Sequence, residues 1–188
     1  MTHLEQVEQM IRGGATFIQI RDKNAGTKAL VDTVRGSVAA ADRSGAKIIV
    51  NDRVDAALVG GAHGVHLGQD DLPPAEARKI LGPQAIIGLS THSVEQAVAA
   101  LAEPVDYIAI GPVYPTLTKA DTDPVVGLEG VRAVRDIVGD LPLVAIGGIG
   151  LGNLRDVIDA GADSVAVISS LHQKDRSIQD IVAAYLEI

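Results

Sequence analysis

Cysteine and tryptophan are absent from the 188 residues, and the aromatic set is one Phe and three Tyr. Without cysteine there is no disulfide, no thiol nucleophile and no thiolate metal site, so any metal must be held by oxygen or imidazole ligands. That suits a hard cation and excludes structural zinc. So few aromatics offer little for stacking nucleic-acid bases, and a formal charge of −8 provides no broad basic surface. No stretch reaches about 18 uninterrupted apolar residues, the length of a membrane span. The opening MTHLEQVEQMIRGG places Glu and Arg where a secretory signal needs a basic start and an apolar core. Together these absences predict a soluble, cytoplasmic protein whose partners are small molecules rather than nucleic acid or membrane.

What is present is regular. With 47% hydrophobic residues the chain can bury one sizeable core but hardly two, so residues 1–188 are expected to form a single domain. Seven short apolar runs each stop at a polar or glycine-rich cluster. The strands expected from them are Thr16–Arg21, Lys47–Asn51, Gly64–Leu67, Ile86–Ser90, Tyr107–Gly111, Leu143–Ile146 and Ser164–Ile168. They are rich in Ile and Val and nearly continuous rather than alternating, as in parallel strands covered on both faces. Between them LVDTVRGSVAAADRSG, PAEARKIL, SVEQAVAALA, LEGVRAVRDIVG, NLRDVIDAG and IQDIVAAYLE show helical spacing, and several close at Gly.

A β-then-α repeat predicts an α/β fold of the TIM (β/α)₈ type, with the polar clusters at the strand ends where such barrels keep their chemistry. Only seven strands are readable, because the chain opens on the helix-like HLEQVEQMIRGG with no N-terminal strand ahead of it. Three explanations stand: a natively incomplete barrel, a first strand lost by truncation or gene-start error, or a homo-oligomer in which a neighbouring chain closes the gap. The longest segment without helical pattern, Pro112 to Gly127, holds three prolines, three threonines, a lysine and two aspartates, the make-up of a functional loop.

Two carboxylates follow adjacent strands. Asp52 and Asp71 can converge on one cation that keeps several waters, which is the habit of Mg²⁺. Asp70 is a competing ligand. The structural alternative is that Asp52 caps a helix beginning at Arg53 and Asp71 one beginning at Pro73, both good positions for Asp. Arg21, Lys23 and Lys119 add cations suited to a substrate with more than one phosphate. Arg21 and Lys23 could instead pair with Asp22 and nearby acids. The turn Gly147–Gly150 and the sequence Ile168-Ser169-Ser170 end successive strands, where barrels commonly present backbone N–H groups to a phosphate; the alternative is that the glycines only permit tight turns. Among the histidines, His66 is expected to pack within its strand, His63 and His172 to lie in turns, and His92 alone to approach the site. No Ser-His-acid triad can be drawn from these spacings.

In order along the chain, QIRDK (19–23), ND (51–52), GVHLGQDD (64–71), GLSTHS (88–93), GPVYPTLTK (111–119), AIGGI (145–149) and VIS (167–169) resemble the thiamine phosphate synthase family. The resemblance runs from about Ile11 to the C-terminus. It implies Mg²⁺-dependent coupling of a pyrimidine carrying a methyl diphosphate to a thiazole phosphate, with release of pyrophosphate. By position it implies that Gln19, Arg21, Lys23, Asn51, Ser90 and Lys119 bind the pyrimidine diphosphate, with Ile20 and Asp22 in the same stretch. Asp52 and Asp71 would hold the metal. Thr116, Leu117, Thr118, Gly148, Ile168 and Ser169 would meet the thiazole phosphate, and Arg21, Lys23, Ser90 and Lys119 would act in catalysis. The family usually opens with a strand ending in a Thr-Asp-like turn, which is not matched here. A related thiazole tautomerase and a non-catalytic phosphate-binding or shortened form are the rival readings. The retained Asp and cationic residues argue against the tautomerase, which has no pyrophosphate to neutralise.

Overall fold

A computed structural model describes residues 1–116 and 123–188. The strands are β1 (Phe17–Ile20), β2 (Lys47–Asn51), β3 (Gly64–Leu67), β4 (Ile86–Thr91), β5 (Tyr107–Ile110), β6 (Leu143–Ile146) and β7 (Ser164–Ala166). The helices are α1 (His3–Arg12), α2 (Thr27–Ala41), α3 (Val54–Gly60), α4 (Pro74–Leu81), α5 (Val94–Ala100), α6 (Gly127–Val138), α7 (Leu154–Asp159) and α8 (Ile178–Leu186), with a 3₁₀ turn at Ser169–Leu171. The sheet runs in sequence order from β1 to β7. Strands in that order, each followed by a helix, have the topology of a TIM-type (β/α)₈ barrel less one strand. The fold class expected from the repeat is therefore present.

The chain divides into two compact units. The first comprises residues 1–87 and 173–187. Within it β1, β2 and β3 pair in parallel, Phe17 opposite Lys47 and Asn51 opposite His66. Ile48, Ile49, Val50, Val65 and Leu67 are fully buried, as strands covered on both faces require. On β1 only Ile18 and Ile20 are buried, and Phe17 is 46% exposed. The amphipathic α1 is started by a capping box between Thr2 and Glu5, and its end docks on α8. There the Ile178 N–H donates to Gln9 Oε1 at 3.1 Å. A Cβ at Gly13 would lie 2.6 Å from the Gln179 carbonyl oxygen, so only glycine allows this approach.

The second unit comprises residues 88–172 and Ile188. Here β4 to β7 continue the parallel pairing, Gly88 opposite Tyr107, Ile108 opposite Leu143 and Ile146 opposite Ala166. Ile108, Ile110, Leu143 and Ala145 make its core with Val131, Val134 and Val157 from the covering helices.

Several element ends differ from expectation. β7 stops at Ala166 rather than Ile168, because Ala166 is the last residue paired with β6 and the chain then turns into the 3₁₀ segment. β5 ends at Ile110 because Gly111 is followed by Pro112, which has no N–H to extend the ladder. β4 runs one residue further, to Thr91, whose hydroxyl donates to the Ala109 carbonyl at 3.0 Å in the core.

Candidate functional site

In the first unit the strand ends gather both signs of charge. Gln19 and Ile20 close β1, with Arg21, Asp22 and Lys23 immediately after it; Asn51 closes β2, and Asp52 follows. Arg21 is half-buried and Lys23 exposed, and among the described residues neither forms an ion pair. The expected alternative, pairing with Asp22, is not seen. Asp22 Oδ1 instead accepts the N–H groups of Asn24 and Ala25, each at 3.0 Å, folding the RDK segment back on itself.

Asp52 sits in an unusual backbone position. Its φ of +60° is the left-handed region, and it is the only non-glycine residue there among those described. The N–H of Arg53 bonds the Asn51 carbonyl at 2.7 Å across it, while its own N–H bonds the His66 carbonyl at 2.9 Å. Such a conformation costs on the order of 1–3 kcal/mol in a non-glycine residue. The geometry turns Asp52 away from the cap position that the sequence allowed. Arg53 precedes α3, and its guanidinium is bonded to Asp55 and to Thr27 Oγ1. Asp71 likewise caps no helix, since α4 starts at Pro74 behind Pro73. Its Oδ2 accepts the Gly68 N–H at 2.6 Å, which orients the carboxylate at the end of β3.

Asp52 and Asp71 meet. Burial pushes the Asp52 carboxyl above the usual carboxylate range, and the hydrogen bond to Asp71 and its charge push it the same way; Lys23 and Arg21 oppose them. Two acids sharing a half-buried place, with two cations nearby, form an arrangement that a divalent cation would relieve. Asp70 stands exposed beside them. Among the described residues no group of three or more His, Asp or Glu could hold a metal ion.

The second unit holds an open pocket of about 980 Å³ lined by Pro115, Thr116, Gly148, Ile149, Asn153 and Ser169, among others. It brings together three candidate residues, Thr116, Gly148 and Ser169, while Ile168 beside them is 44% exposed. Gly148 has φ +66°, and a Cβ there would lie 2.6 Å from Tyr114 Cβ and 2.7 Å from the Pro115 carbonyl oxygen. Glycine is thus demanded both by the dihedral and by the chain passing over it. The N–H groups of Val113 and Tyr114 bond the carbonyls of Ile146 and Gly147 at 2.9 and 3.0 Å, so the two strand-end loops are laced together. Ser90 lies in β4 and is half-buried. Leu117, Thr118 and Lys119 lie outside the described residues.

His92, expected to approach the site, has partners in the second unit. Its Nδ1 lies 2.6 Å from the Gly111 carbonyl oxygen and 3.3 Å from Asp123 Oδ2, so it ties the end of β4 to both described flanks of the 112–127 segment. His66 is buried as expected. His63 is more than a turn residue, because its Nδ1 accepts the Ile48 N–H at 3.0 Å; its pKa is lowered chiefly by burial. Asn153, not singled out in the sequence, bonds the Gly147–Gly150 turn from both sides. Its only signal is an Asn three residues after that turn.

Known proteins resemble this chain in sequence and in fold. The family described as thiamine monophosphate synthase matches residues 1–171. The chain is similar to a thiamine-phosphate synthase of Azorhizobium caulinodans, 46% identical over 168 residues, covering 89% of this chain and 79% of the relative. It is also 44% identical over 189 residues to one of Methanoculleus marisnigri, covering 97% and 89%. A solved thiamine phosphate pyrophosphorylase from Pyrococcus furiosus superposes with a TM-score of 0.90 at 37% identity, over 99% of this chain and 88% of that one.

Proposed function

This chain belongs to the thiamine monophosphate synthase family, and on that premise we propose that it couples a 4-amino-2-methyl-5-(diphosphomethyl)pyrimidine to a thiazole phosphate, giving thiamine phosphate and pyrophosphate. The family's members are enzymes, and the reaction class is alkyl transfer between small molecules. The observation that carries the reading is the paired carboxylate of Asp52 and Asp71 beside Arg21 and Lys23. A tautomerase of the same fold would have no developing pyrophosphate for such a group to meet.

Asp52 and Asp71 are assigned to Mg²⁺, which when bound would neutralise charge on the diphosphate. Arg21 and Lys23 stabilise the same leaving group as its bond to the pyrimidine methylene breaks, and Lys119 is assigned the same task. The electron-rich aminopyrimidine tolerates the positive charge left at that carbon, and the thiazole nitrogen attacks it. Gln19, Ile20, Asp22, Asn51 and Ser90 are assigned to holding the pyrimidine diphosphate. Thr116, Leu117, Thr118, Gly148, Ile168 and Ser169 are assigned to the thiazole phosphate, whose anchorage away from the reacting nitrogen orients it. No protein nucleophile is needed, in keeping with a chain that has no cysteine. The reading takes residues 1–188 as one barrel domain working in the cytoplasm.

Asp71→Asn tests the assignment. Turnover at fixed Mg²⁺ should fall on the order of 10²-fold, the scale of losing one group that stabilises developing charge. Thiazole-phosphate affinity should hold within about twofold, because Asp71 is not among the residues lining the phosphate pocket. Equal loss of both would make Asp71 a structural residue and remove the metal assignment.

A further inference from the structure

In the turn after β6 most carbonyls are occupied while amide donors are left over. The Ile146 and Gly147 carbonyls take the N–H groups of Val113 and Tyr114, and the Gly150 carbonyl takes those of Asn153 and Leu154 at 3.1 and 3.0 Å. The remaining ties come from one side chain. Asn153 Oδ1 accepts the Gly150 N–H at 2.8 Å, and Asn153 Nδ2 donates to the Gly148 carbonyl at 3.1 Å. A backbone N–H can only donate and a carbonyl only accept, so these partners fix which end of the amide is which. Among the described residues no acceptor meets the N–H of Gly148 or of Ile149. Of the carbonyls from Ile146 to Gly150 only that of Ile149 has no donor among the described residues, while the Gly148 and Ile149 amide donors remain, a balance that favours an anion.

We propose that Asn153 is a positioning residue for the phosphate of the thiazole substrate: it holds the Gly147–Gly150 turn so that the Gly148 carbonyl is occupied and the Gly148 and Ile149 N–H groups are left for the anion. The proposal rests on the thiazole-phosphate assignment made above. Asn is suited to the task because one planar amide supplies an acceptor and a donor together. Asp offers two acceptors and a charge, Ser a single atom, and Ala neither. Asn153 also lines the pocket, so a carboxylate in its place would face the phosphate directly.

The test compares wild type with Asn153→Asp and Asn153→Ser by calorimetric titration with thiazole phosphate and with inorganic phosphate, alongside steady-state kinetics. Asn153→Asp should weaken both phosphate ligands by about tenfold or more, the scale of a lost hydrogen bond with a polar group left unsatisfied. Asn153→Ser should fall between it and wild type. KM for the pyrimidine diphosphate and kcat at saturating thiazole phosphate should stay within about twofold. A fall in melting temperature with unchanged phosphate affinity, or a parallel rise in both KM values, would overturn the proposal. Wild type that binds the phosphates without forming product would sink the synthase reading, and the affinity ratio between wild type and variants would still decide the role of Asn153. If Asn153→Asp does not fold, Asn153→Ser decides alone: affinity equal to wild type rejects the clamp.

Discussion

At the scale of single residues the proposed chemistry turns on Asp52, which is held at positive φ and whose carboxyl is raised by burial and by Asp71. A group with a raised folded pKa favours folding fully below its unfolded value, here 3.8, and loses that contribution as pH rises through the folded value. Metal-free wild type should therefore lose stability relative to Asp52→Asn as pH climbs from about 4 toward neutrality. Taking the difference between the two proteins cancels the carboxylates that do not touch Asp52 and leaves the Asp52–Asp71 pair. Added Mg²⁺ should raise the melting temperature of wild type at neutral pH and move Asp52→Asn much less, because binding to the folded state alone stabilises it. Thermal unfolding at three pH values, with and without the ion, reads both effects. A wild type that gains stability relative to Asp52→Asn across that pH range would contradict the shared-carboxylate account.

At the scale of elements the loops and helix ends set the tolerances. Gly148→Ala must push against the Pro115 carbonyl and Tyr114 as well as leave its left-handed dihedral. It should raise KM for thiazole phosphate by about tenfold or more while the pyrimidine diphosphate KM holds, because the lesion is confined to the lining of the second unit's pocket. Gly13→Ala makes a different kind of test, since Gly13 has φ −76° and the substitution acts only by its clash with Gln179 and Val182. Overpacking of this sort costs about 1–3 kcal/mol, measurable as a lowered urea midpoint, with no change in KM for either substrate.

Much at this scale was legible beforehand. The strands Lys47–Asn51, Gly64–Leu67 and Leu143–Ile146 and the helix PAEARKIL follow directly from apolar runs and from Pro and Gly punctuation, which are local signals. The fate of the aspartates was not legible. Whether Asp52 caps a helix or faces Asp71 depends on a backbone dihedral fixed by the bond to His66, a contact between strands that no local pattern records. The roles of His92 and Asn153 were hidden for the same reason, since each is defined by backbone partners in another loop or turn.

At the scale of the molecule, seven strands in sequence order carry acids and cations at their ends in the first unit and a glycine-lined pocket, proposed for a phosphate, in the second. A diphosphate leaving group calls for the first set and a phosphorylated nucleophile for the second, so the coupling reaction uses both, whereas a tautomerase or a passive phosphate binder uses only one. The decisive measurement is formation of thiamine phosphate by the purified 188-residue protein given both substrates, with Mg²⁺ and with the ion removed by chelation. The account predicts product and equimolar pyrophosphate that require both substrates and disappear when the metal is stripped. Tight binding of thiazole phosphate with no product at any Mg²⁺ concentration would contradict it.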